Sequence, residues 1–571
     1  MSAPTTHIEG EARPRRRWPW ITAAAVVVVA VAATVVAVTS TARPQADPAA
    51  VAGGAPVRGG TLQFAMIDFQ RSPDVHAGSN YAESIIGNNV TDKLTWQDPE
   101  TGEITPWLAT SWEFNDALTE FTFHLRQDVT FSDGTPFDAA AVKANFDQYA
   151  RGDERLGIKP NGAVYLPGYV ETATPQPYTA VVRFSRPVAS FLQASSFTAN
   201  NQPGFLSLST LARSAEERTD PRNVIGTGPF VYESWQSQVS TVLVRRQGYH
   251  WAPPALNHEG EAYLDRIVFN VVPEGSVRTG SLTSGTVDAI LDVQPTDEAP
   301  LAAQGYPVVS GQVGGADIRF DFNLSLAPTN DIAVRKAIQL GWNRRAIEQT
   351  VLSDSYRIST SVLADNVEGY VDHSATALRF DQAEARRLLD AAGWVPGPDG
   401  IRVRDGVPLV VKLLGINNLV VNKPAYESIQ QDLRGVGIDL QLTVVPIPDS
   451  TALRANALTD WNIVAGNRSR NDASVLNLTY NPALDNTAFL PADLPGRDRL
   501  VEGLSRLETT LDPQQRREYA KAAQDLVLDE FALTNPVYTP SQVIAHAPTV
   551  HGIVFDAQAR NHFVNTWKSP V

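Results

Sequence analysis

Cysteine is absent from all 571 residues. That excludes a disulfide framework, Cys-based zinc or iron–sulfur sites, a thiol nucleophile and a thioether lipid anchor. An excess of basic charge is missing too: 47 basic side chains stand against 62 acidic ones, a formal −15. A general nucleic-acid binder needs a basic surface to displace counterions, so no nucleic-acid partner is expected. With 19% charged and 43% hydrophobic residues, the chain is neither an acidic disordered tail nor a multi-span membrane protein. Length alone allows three or four domain-sized units, or fewer large lobes.

Long apolar runs are lacking except for one near the N-terminus. Arg13, Arg15, Arg16 and Arg17 precede Trp18 and Trp20, and no charged residue occurs from Ile21 to Val38. That run lies between the about 20 residues of a bilayer span and the 7–15 of a signal-peptide core. The pattern predicts a cytoplasmic basic segment over 1–20, a transmembrane anchor or signal sequence over 21–39, and a flexible linker over 40–57. Ser40-Thr41-Ala42 offers small residues for cleavage, so a retained anchor and a removed signal both stay open. Either way, the remainder is extracytoplasmic, membrane-anchored or secreted. The acidity belongs to that remainder, because residues 1–57 carry five Arg and three acids.

The remainder alternates helix and strand signals. Phe121, Phe123 and Leu125 alternate with polar residues as in a half-buried strand. Phe131-Ser-Asp-Gly134 reads as a turn, and Asp138 as the cap of a helix with Val142, Phe146 and Tyr149 on one face. Ile267, Phe269 and Val271 form another strand. Asp381 with Glu384 makes an Asp version of the capping box, and Gly393 closes that helix. A further helix reaches about Leu433, a strand carries Ile438, Leu440, Leu442 and Val444, and Asp512-Pro513 opens another helix. The fold class is α/β.

Catalytic signatures are missing. No G-x-S-x-G, G-x-x-x-x-G-K-[ST] or G-x-G-x-x-G occurs. His258-Glu259 starts a zinc-helix pattern, but Ala262 stands where its second histidine belongs. No metal and no cofactor are expected, and the protein reads as a non-enzyme. Nine tryptophans (96, 107, 112, 235, 251, 342, 394, 461 and 567) suit core packing, a minority of them suiting an apolar cleft.

A series of motifs resembles the family 5 extracellular solute-binding proteins of ABC importers, the dipeptide, oligopeptide and nickel binders. Thr105-Pro-Trp-Leu-Ala-Thr-Ser-Trp112 resembles the family's P-x-L-A-x-S-W. The stretch Phe123–Phe137 is close to its F-x-L-R-x-x-V-x-F-x-D-G-x-P-F signature. Gly226-Thr-Gly-Pro-Phe230, Tyr263–Phe269, Leu282–Asp288, Phe322-Asn323, Val334–Ala337, Ala385–Trp394 and Val550–Ile553 follow in family order. The resemblance implies a two-lobed periplasmic-binding-protein-like fold, the large family 5 variant of type II, with a hinge. Lobe I would comprise 58–315 and 538–571, and lobe II 316–537. It also implies a monomer that captures a peptide or peptide-like solute and hands it to permease and ATPase subunits, with the N-terminal segment at the membrane. An extracytoplasmic hydrolase with a dispersed triad and a ligand-sensing receptor without transport remain the alternatives.

The ligand loop departs from the family pattern. Peptide binders carry G-W-x-x-D followed by D/E-P, whose first Asp holds the peptide's ammonium. Here Gly466-Asn-Arg-Ser-Arg-Asn-Asp472 puts Asn467 at the Trp and Arg470 at that Asp, while Asp472 matches only the second acid. Arginine repels an ammonium and pairs with carboxylate or phosphate, so Arg468 or Arg470 is expected to contact an anionic group. Phe69, Gln70, Asn200, Asn201, Asn417 and Asn418 are further ligand candidates by loop position.

Overall fold

The computed structural model describes residues 54–77, 81–162, 165–196, 198, 204–417, 419–484 and 489–570. The expected basic segment, apolar segment and most of the linker lie outside them. Among the described residues, no helix is long and apolar enough to cross a membrane.

Local signals produce the expected elements. Glu120–Leu125 is a strand with Phe121, Phe123 and Leu125 buried. Asp138 Oδ1 accepts from the Ala141 N–H at 2.9 Å and starts helix Ala139–Arg151, whose buried face holds Val142, Phe146 and Tyr149. Asp512 likewise caps Pro513–Asp525 through the Gln515 N–H. At Asp381 the capping box is only half made. Its side chain accepts from the Glu384 N–H, but its own N–H already donates to the Leu340 carbonyl, and Glu384 turns to Arg387 at 2.6 Å. A tertiary partner has displaced the local one.

Three larger sheets organise the chain. Seven strands form the first, including Thr61–Met66, Arg266–Val271, Ala289–Leu291, Val308–Gln312 and Ser541–His546. A four-stranded antiparallel sheet contains Ala109–Phe114, Glu120–Leu125, Tyr169–Gln176 and Thr179–Phe184. The third has six strands, with Val410–Ile416 parallel to both Asp439–Val445 and Ile463–Ser469, and Gly315–Phe322 antiparallel between Ile463–Ser469 and Thr534–Thr539. The chain crosses between the seven- and six-stranded sheets after Gln312 and returns after Thr539. Two large hydrophobic cores accompany the sheets.

Asp317 sits beside these crossings, buried. One carboxylate oxygen accepts from Ser359 Oγ at 2.6 Å and Thr539 Oγ1 at 3.0 Å, and the other has no partner among the described residues. Burial pushes its pKa up from 3.8 to about 7. A carboxyl that holds its proton more tightly when folded contributes stability below the unfolded pKa, and loses it as pH rises through the folded one. Asp317→Asn is therefore expected to remove a few kcal/mol of the stability change between pH 4 and 7. Urea melts of both proteins across that range measure it, and equal slopes would refute the assignment.

Candidate functional site

Alternation along Gly315–Phe322 places Arg319 and Asp321 on one face of the six-stranded sheet. Across the pair, Gly466 stands opposite Arg319 and Val464 opposite Asp321. Gly466 keeps the sheet surface low there; a Cβ on it would lie 3.4 Å from Arg454 Nη2. Arg454 ends helix Ile447–Arg454, and Tyr480 ends helix Val475–Tyr480. Together with Ile416, Asn467, Arg468, Phe489 and Leu490 they line a cavity of about 240 Å³. One wall is apolar, built on the Ala457, Val464 and Phe489 cluster.

The cavity is lined by charges of both signs. Asp321 is engaged from the protein side through one oxygen: its Oδ1 accepts from Arg319 Nε at 2.9 Å, Thr534 Oγ1 at 2.9 Å and Tyr480 OH at 3.2 Å. Arg319 also lies over the Tyr480 ring at 5.8 Å. Burial opposes its charge, but Asp321 and Tyr480 together outweigh burial and raise its pKa. Arg454 donates to the Ala465 carbonyl at 2.9 Å, and its buried Nε has no partner among the described residues. Burial lowers its pKa; Asp321 pulls the other way, while Arg319 and Arg468 add to the lowering. Arg319, Arg454 and Arg468 thus share the cavity with Asp321, and the Nε of Arg454 still lacks an acceptor among the described residues, a demand that an anionic group meets.

The residues singled out from the sequence divide. Asn467 and Arg468 line the cavity, and Asn417 follows Ile416 at its edge, exposed, its N–H donating to the Val445 carbonyl. Arg470 points elsewhere. It is 1% exposed, donates through Nε to Gln193 Oε1 at 3.1 Å and through Nη2 to the Ser190 carbonyl at 3.4 Å, and so joins its loop to helix Phe191–Ala194. Asp472 accepts from Arg516 at 2.6 Å and the Ser474 N–H at 2.8 Å. Burial would raise its pKa, but Arg516 and Ser474 hold it below the usual carboxylate range. Gln70 is buried, bonded to Tyr232 OH and Thr241 Oγ1, while Phe69 is half-buried next to Arg71. Asn200, Asn201 and Asn418 lie outside the described residues. None of the nine tryptophans lines the cavity. Arg319, Asp321 and Arg454 were missed, although Asp317, Arg319 and Asp321 alternating with Ile318, Phe320 and Phe322 mark a strand with one charged face.

The family model of bacterial extracellular solute-binding proteins, family 5 Middle, matches residues 103–487. The chain belongs to this family. It is 27% identical over 367 residues to the nickel-binding periplasmic protein of Escherichia coli K12, a match covering 60% of this chain and 63% of that one. The chain thus spans just under two thirds of that relative's length. To the probable D,D-dipeptide-binding periplasmic protein DdpA of the same strain it is 25% identical over 474 residues, 80% and 84% of the two chains. NikA from Brucella suis, solved with Fe(III)-EDTA, shares the fold with a TM-score of 0.76 at 24% identity, over 89% of this chain and 100% of that one. The architecture is periplasmic-binding-protein-like, the relatives are binding proteins, and the protein is extracytoplasmic.

Proposed function

We propose that this protein captures a small solute bearing an anionic group, a short peptide or peptide-like acid, and delivers it to an ABC permease. The observation that carries this reading is Arg454 in the cavity wall, its buried Nε without a partner among the described residues, beside an Asp321 whose Oδ1 is already engaged by Arg319, Thr534 and Tyr480. A volume of about 240 Å³ is below the roughly 300–1,000 Å³ of drug-sized sites, which suits a solute no larger than a few residues. The dipeptide ligand in DdpA's name fits that size and carries a carboxylate. With Arg454 in the cavity wall, its Nε unpartnered among the described residues, the solute enters carboxylate-first rather than through its ammonium. Residues 58–315 with 538–571 act as one lobe and 316–537 as the other, in a monomer, with the segment over 21–39 directing export as anchor or signal.

Melting curves with three dipeptide sets test the reading. Free dipeptides and N-acetylated dipeptides are expected to include members that raise the melting temperature, as ligands of the native state must. Their C-terminal amides should leave it unchanged. Amides that stabilise as well as the acids would sink the carboxylate-first assignment.

A further inference from the structure

On the flank of the six-stranded sheet, away from the arginine-lined cavity, helix Pro513–Asp525 passes into a π-turn over Leu526–Glu530. The Phe531 N–H donates to the Leu526 carbonyl at 2.9 Å, five residues back. Such widened turns are rare and recur at functional positions. Asp525 precedes the turn and Asp529 lies within it. Facing both is His373, from a loop some 150 positions earlier and only 3% exposed.

The histidine is held from behind. Its Nδ1 is 2.8 Å from the Val371 carbonyl, which can only accept, so Nδ1 carries a proton. Ser361 Oγ also stands 3.3 Å from Nδ1 and donates its own proton to Gln524. In the neutral ring that leaves Nε2 with a bare lone pair. Nε2 nevertheless points at two carboxylate oxygens, Asp525 Oδ1 at 3.2 Å and Asp529 Oδ2 at 3.4 Å. Three acceptors face one another, all within 4.8 Å. Only a cation between them, a proton or a metal ion, makes that arrangement favourable.

The two histidine-to-aspartate spacings match a metal. Bonds of about 2.0–2.1 Å to imidazole and carboxylate at tetrahedral angles put ligand atoms ~3.3 Å apart. A backbone carbonyl on the remote ring nitrogen is the usual outer support of a metal-bound histidine. Lys521 Nζ occupies the other oxygen of Asp525 at 2.5 Å, leaving Oδ1 turned inward. Both aspartates also line a surface groove with Glu530, Glu502, Arg499 and Arg506, which gives an ion a way in and leaves a fourth position for water.

We propose that His373, Asp525 and Asp529 form a binding site for one first-row divalent metal ion, separate from the solute cavity. One imidazole and two carboxylates suit zinc and its neighbours. The full chain, stripped with chelator and without a histidine tag, is titrated with Zn²⁺ in a calorimeter at pH 7.5, and separately with Co²⁺ for visible absorption. A saturable Zn²⁺ site with Co²⁺ bands of four-coordinate intensity is expected. His373→Gln and Asp529→Asn should each weaken that site roughly 100-fold. Asp529 is partly exposed, so its variant keeps the test valid if His373→Gln folds poorly. If the wild type takes up no Zn²⁺ saturably, or if Asp529→Asn binds it as well as wild type, the cluster is a protonated-histidine ion pair and the proposal fails.

Discussion

Arg454→Met is expected to weaken binding of an N-acetylated dipeptide acid, the best from the melting screen, by about 100- to 1,000-fold. Removing one partner of a buried, hydrogen-bonded charge pair costs about 2–5 kcal/mol, and every 1.4 kcal/mol is tenfold. Arg454 is the sharper target because its Nε is buried with no partner among the described residues; a bound carboxylate supplies what the fold omits. Arg468→Met should weaken binding as well, by less, since Arg468 is half-buried and better screened. Arg319 is unsuited to this test, because its loss would strand Asp321 in the sheet. Calorimetry on both variants decides the matter. An Arg454→Met protein with wild-type affinity for the acid would show that the cavity does not hold the anion.

Gly226→Ala should cost about 3 kcal/mol or more, enough to threaten folding. A Cβ there would stand 2.1 Å from the Val90 carbonyl oxygen and 2.8 Å from Thr91 Cγ2. The main obstacle is backbone, so no side chain can swing away. Gly228 meets the same turn at 2.5 Å, while its N–H donates to the Val90 carbonyl at 2.8 Å. The Gly226 carbonyl accepts from the Ser132 N–H at 3.0 Å, which binds the Ser-Asp-Gly turn into this seam. Urea denaturation gives the test; a midpoint shift worth less than about 1 kcal/mol would mean the seam relaxes.

These two predictions mark the boundary of what the sequence reveals. The close approach at Gly226 and Gly228 was legible, since glycine pairs in a fixed motif have few other physical reasons. So were the caps at Asp138 and Asp512, whose partners are three residues away. The destination of Arg470 was not, because Ser190 and Gln193 lie about 280 positions distant and only the docked strand brings them together. Likewise Glu384 left the capping box because Leu340 had taken the Asp381 N–H, a competition between elements that no local window contains. The cavity arginines come from two strands and a helix end, so their convergence exists only in the assembled sheet. Alternation along Gly315–Phe322 is the one sign the sequence holds of this face, and a paired acid and base inside a buried strand is the part of the site that could have been read.

Lys568, in the last described strand, donates to the Thr61 carbonyl at 3.0 Å in the first strand and to Asp288 at 2.7 Å. The beginning and end of the described chain are therefore pinned to the same seven-stranded sheet, and the six-stranded sheet is a long excursion leaving after Gln312 and returning after Thr539. In mechanical terms, a pull on either end meets the pinned sheet first. The excursion is attached covalently by two short straps, and Arg470 ties it a third time, non-covalently, to helix Phe191–Ala194.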